Sequence, residues 1–110
     1  MSFEKIYALF RDLPDDKKHF AAGRYVDEHG TFCAVGAAIP RLQTVTPYNA
    51  AGIRVVARGD YDIQREITAL GMTVGEIVDV QIVNDGCHGT EQERYEAVMT
   101  WLSGKCEYTA

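Results

Sequence analysis

The chain has 110 residues, 46% hydrophobic and 25% charged, a balance that argues against disorder and fits one compact domain over residues 1–110 with its own core. Sixteen acidic residues against eleven basic ones give a formal net charge of -5. The longest basic cluster is Lys17-Lys18, so a phosphate backbone would meet net repulsion and direct nucleic-acid binding is not expected.

Along the chain, Ser2 is placed to cap a first helix whose face carries Ile6, Leu9, Phe10 and Leu13. Pro14 with Asp15 and Asp16 predicts a turn or a fresh helix start. Residues 17–30 read as irregular or weakly extended, with "DEHG" a turn ending at Gly30. Thr31 then predicts the N-cap of a short helix running to about Ile39 and stopped by Pro40. In residues 44–59 the alternation of Ile53, Val55 and Ala57 suits a strand, while Pro47 at a first helical position suits a helix.

Beyond Asp60 the signals sharpen. Ile63, Ile67 and Leu70 share a helical face and Gly71 follows as a stop. Thr73 and Glu76 make a capping box ahead of a second helix, although the β-branched run "IVDVQIV" also suits a strand. "NDGCHG", residues 84–89, predicts a turn, and Thr90 with Glu93 forms another capping box. Tyr95, Val98, Met99 and Leu102 make the clearest amphipathic stripe, expected to end at Gly104.

Charges at positions 4, 5, 11 and 12 interrupt any secretory apolar region, and no run approaches the roughly 18 apolar residues of a membrane span. Three cysteines without a CxxC pair fit reduced thiols. A cytoplasmic protein without a membrane partner is the expectation.

Chemistry concentrates on few residues. Cys33, placed in the first turn of a helix capped by Thr31, would have its thiolate favoured by free N–H groups and the helix dipole. His88 could act as its base, with Asn84 or Asp85 orienting the imidazole. The competing role is packing, because Phe32, Ala34, Val35, Ala37 and Ala38 give the cysteine core-like flanks, and free cysteines are commonly buried. Packing is the favoured reading. The glycine within this helix, Gly36, predicts close backbone approach by another element.

The spacing of Cys33, Cys87, Cys106, His19, His29 and His88 lacks the paired ligands of structural zinc sites, so no metal is expected. A calcium loop beginning at Asn84 fails because Gly86, His88 and Tyr95 stand where oxygen ligands belong. The Arg-Gly-Asp at residues 58–60 is explained by Asp60 as a helix cap. No nucleotide-binding glycine loop or serine-hydrolase elbow occurs, and no cofactor is expected.

"FCAVGAA" and "IVNDGCHGTEQERYEAVMTWL" resemble a family of small uncharacterised bacterial and phage proteins with an aromatic-Cys-x-x-Gly-Ala helix and a later Asn-Asp turn before a Thr-capped helix. The likeness spans residues 19–38 and 77–102 and rests on Phe32, Cys33, Gly36, Ala37, Asn84, Asp85, Thr90 and Val98. It departs at Val83, where the family pattern has an aromatic residue, and at His88, which has no counterpart there. The resemblance implies a mostly helical fold and a phage or mobile-element origin, and it brings no activity with it.

These readings predict a mainly α domain of about five helices with at most a short β-hairpin, an α+β arrangement being the alternative. The cysteine helix should pack centrally, against residues 74–83 or the last helix, with the Asn-Asp segment hydrogen-bonded to a nearby backbone end. For function they predict a non-catalytic binding or inhibitory protein acting on a host protein partner through an acidic surface. The alternative is a thiol-dependent hydrolase or transferase using Cys33, His88, Asp85 and Asn84.

Overall fold

The protein is mainly α. A computed structural model describes residues 3–45 and 53–109, and these carry seven α-helices, α1 (Glu4–Arg11), α2 (Ala34–Ala38), α3 (Arg41–Val45), α4 (Ile53–Arg58), α5 (Tyr61–Ala69), α6 (Val74–Gly86) and α7 (Glu91–Thr109). A 3₁₀ turn covers Asp15–Lys17. In place of a β-hairpin, the described residues hold one antiparallel bridge, between Val26 and Phe32. Ser2 and Pro47 lie outside the described residues.

The helix signals beyond Asp60 hold in detail. Asp60 accepts hydrogen bonds from the Asp62 and Ile63 N–H groups at 2.9 and 3.1 Å and so caps α5. Its carboxyl is held below the usual range chiefly by the Arg41 guanidinium, whose Nε lies 2.8 Å away. Ile63 and Ile67 are buried, and Gly71 takes the left-handed conformation at φ +72° that ends the helix. Both capping boxes form: Thr73 with Glu76 opens α6, and Thr90 with Glu93 opens α7.

Five expectations are corrected. The helix after Gly30 is capped by Cys33 rather than Thr31, because the bridge between Phe32 and Val26 keeps the chain extended until residue 33. Pro40 ends α2 but α3 follows at once, and residues 53–58 are helical, so the helices outnumber the five expected. Asn84, Asp85 and Gly86 form the last turn of α6, not a separate turn. The last helix passes through Gly104 to Thr109; that glycine is exposed with open space around its Cα, and its intrinsic penalty of about 1 kcal/mol is not enough to break the helix. Leu9, expected on the buried face of α1, is 39% exposed.

The apolar residues form one cluster. Ile6 and Phe10 of α1, Val35 of α2, Leu42 of α3, Ile53 of α4, Ile77 and Val80 of α6 and Val98 and Leu102 of α7 all belong to it. At one end Phe3 meets the Trp101 ring edge-on at 5.3 Å. At the other, Phe20 packs between Phe10 and Tyr95 with ring centroids 5.0 and 5.2 Å away. The Tyr95 hydroxyl donates to the Phe10 carbonyl at 2.9 Å, satisfying one of the orphan acceptors near the end of α1.

Candidate functional site

Cys33, Asn84 and Asp85 meet at the N-terminus of α2, where residues 20–23, ending in a bend with Gly23 at φ +76°, run past the end of α6. Cys33 is 3% exposed. Its Sγ accepts the Gly36 N–H at 3.2 Å, and its own N–H donates to the Tyr25 carbonyl at 3.3 Å. Gly36 is required by this closeness, since a Cβ there would fall on the Tyr25 carbonyl. The expected close approach is therefore real, but the neighbour is backbone of the 22–26 segment rather than a helix. The α2 helix itself packs against α6, as predicted, and also against α1.

Asn84, 1% exposed, is the centre of the junction. Its Oδ1 accepts the Ala34 N–H at 3.0 Å, and its Nδ2 donates to the Ala21 carbonyl at 2.9 Å and to Asp85 Oδ1 at 3.0 Å. Asp85 Oδ1 in turn accepts the Gly23 N–H at 3.2 Å. The Asn-Asp pair thus does hydrogen-bond to a nearby backbone end, but from within a helix. Two of the orphan donors of α2 are consumed here, Ala34 N–H by a residue fifty positions away and Gly36 N–H by the local sulfur.

Arg94 completes the arrangement and is 8% exposed. Its guanidinium donates to three carbonyls, Phe20 at 2.7 Å, Gly89 at 3.1 Å and Cys87 at 3.2 Å. Residues 20 and 21 therefore have every backbone group engaged: Phe20 N–H on the Glu91 carbonyl, Ala21 N–H on the Phe32 carbonyl, and their own carbonyls on Arg94 and Asn84. The carbonyls of this segment are satisfied by side chains of α6 and α7 and its N–H groups by the backbone carbonyls of Glu91 and Phe32. Arg94 was missed in the sequence, although it stands four residues before Val98 and eight before Leu102, on their face of α7.

The electrostatics follow from burial. Desolvation pushes the Cys33 thiol up to about 11, and the Gly36 N–H, which favours the thiolate, only partly offsets it; the Asp85 charge adds to the rise. Burial likewise raises the Tyr25 phenol, against the opposing effect of Gln81. At neutral pH the sulfur is a neutral thiol serving as a cap.

The other proposed member of the catalytic set stands apart. His88 is exposed on the 87–90 loop, whose carbonyls are gripped by Arg94. Among the described residues no hydrogen bond links His88 to Cys33, whose sulfur is engaged by Gly36. Cys87 and Cys106 are half-buried, and Cys87, like Cys33, is a free thiol. Among the described residues no three His, Cys, Asp or Glu side chains stand together as metal ligands would, and no helix is long and apolar enough to cross a membrane. Compared with known family models, curated proteins and solved structures, the chain matches none.

Proposed function

We propose that the protein is a non-catalytic binding or inhibitory protein that docks on a larger protein through an acidic surface, a host protein being the target if the chain is phage-encoded. The observation that carries this reading is the outer face of α6. Ile82 is 62% exposed there, with the exposed carboxylates of Asp79 and Asp85 three residues to either side. An apolar knob between two acids complements an apolar pocket with a basic rim. The engagement of Cys33, Asn84 and Arg94 in satisfying backbone groups supports it further, since little of that junction is left over for chemistry.

Cross-linking capture from bacterial lysate with the wild type, Ile82→Arg and Asp79→Lys tests the proposal. All three should fold alike, as judged by circular dichroism, because both positions are exposed. The wild type should enrich a partner that both variants lose, and the wild-type complex should weaken with salt. Identical capture by all three would overturn the reading.

A further inference from the structure

We propose that a cleft between residues 13–20, the 29–32 turn, Ala37 and Gln43 binds a small aromatic monocarboxylate. The cleft has a volume of about 380 Å³, within the size range of small-ligand sites. Its apolar lining comes from Leu13, Phe20, Phe32 and Ala37, and His19 and His29 also line it. The Phe20 ring is itself fully buried between Phe10 and Tyr95, so the part-exposed Phe32 ring and the two imidazoles are what favour a flat ring, which can stack on one and meet another edge-on.

The polar lining favours a single negative charge. Lys17 reaches the cleft, and its ammonium has no ion pair among the described residues, whereas its neighbour Lys18 is committed to Asp15 at 3.5 Å. Thr31, also on the lining, carries a hydroxyl donor. Asp16 also lines the cleft, so a dianion would meet repulsion that a monoanion oriented toward Lys17 can avoid.

The walls are fixed before any ligand arrives. Asp27 Oδ1 accepts the His29 and Thr31 N–H groups, both at 2.9 Å, and the Asp27 N–H donates to the Thr31 carbonyl at 2.9 Å, locking the turn that forms one wall. On the other wall Gln43 Nε2 donates to the Gly36 carbonyl at 2.8 Å, tying α3 to α2. A site held in this way loses little entropy on binding.

Titration of the folded protein with naphthoate, followed by amide NMR, tests the assignment. Saturable shifts should centre on residues 17–20, 29–32, 37 and 43, with a Kd on the order of 1 mM for a ligand of this size. Lys17→Ala, at an exposed position, should weaken naphthoate binding about fivefold, the loss of one exposed charge contact, while leaving neutral naphthamide unchanged. Ala37→Leu should abolish both by filling the cleft; Thr31→Val, a gentler change that replaces it as the test where the leucine disturbs the fold, should weaken naphthoate. Shifts that do not saturate, that spread over the surface, or that persist at full strength in Lys17→Ala and in whichever cleft variant keeps a native spectrum would overturn the proposal.

Discussion

The starts of α2 and α7 solve one problem in opposite ways. At α7 the cap is local: Thr90 and Glu93 satisfy each other's N–H groups within four residues of sequence. At α2 the cap is shared between the local Cys33 sulfur and the remote Asn84 carbonyl oxygen. A local cap stabilises one helix; the remote one also fixes where that helix lies relative to α6. The difference predicts that damage at α7 stays small and separable, while damage at α2 spreads through the fold.

The largest effect should come from Gly36→Ala. The new methyl meets backbone that cannot move without breaking the Cys33–Tyr25 hydrogen bond, so a loss of about 4 kcal/mol or more is expected. Denaturant unfolding should show it, and a loss under about 1 kcal/mol would mean that the Tyr25 backbone yields easily. Asn84→Ala comes next. It strands the buried Ala34 N–H and Ala21 carbonyl, for about 3–4 kcal/mol, and hydrogen exchange at Ala34 should accelerate well before global unfolding. Asn84→Asp sharpens the contrast, because it keeps the acceptor for Ala34 while losing the donor to Ala21.

The Cys33 thiol gives a pH-dependent test of the same junction. Below the ordinary thiol value of 9.0 both folded and unfolded chains hold the proton, so this group gives stability no pH dependence. Between there and about 11 the unfolded chain releases the proton while the folded chain keeps it, and stability falls as pH rises. The contribution lost is on the order of 3 kcal/mol, and it should be missing from Cys33→Ala when the two proteins are compared across that window. In the native protein at neutral pH, iodoacetamide should modify Cys87 and spare Cys33 until unfolding. Rapid labelling of Cys33 below pH 8 would instead revive the thiol-enzyme reading. The smallest effect is expected at the local cap: Thr90→Ala should cost about 1 kcal/mol, leaving Ala34 exchange unchanged relative to the global transition.

The same contrast explains what could be read from the sequence. Asp60, the two capping boxes and the stripe of Tyr95, Val98 and Leu102 announce themselves within one or two helical turns, and each appears where expected. The small α2 and the glycine close approach were also legible, because in "CAVGAA" the cost of a helical glycine among small apolar residues points to a tight backbone contact. Asn84 and Asp85 were recognised as hydrogen-bonding residues but assigned to a turn, since Asn-Asp-Gly is turn-forming in isolation and only the packing of α6 extends the helix through it. Arg94 was hidden because its partners, the carbonyls of residues 20, 87 and 89, carry no side-chain signature. The short α3 and α4 have too few residues for periodicity to show. The cleft joins residues 13–20, 29–32, 37 and 43, a gathering that depends on how the segments cross.

The reach of Asn84 and Arg94 also sets an order of events at the ribosome. The Ala34 amide, the Ala21 carbonyl and the Phe20 carbonyl await partners 50, 63 and 74 residues further along. Until those partners leave the exit tunnel, the first third of the nascent polypeptide has no native means of finishing its own backbone bonding. Its consolidation therefore waits for α6 and α7, and a chain stalled before α7 should remain open to proteases.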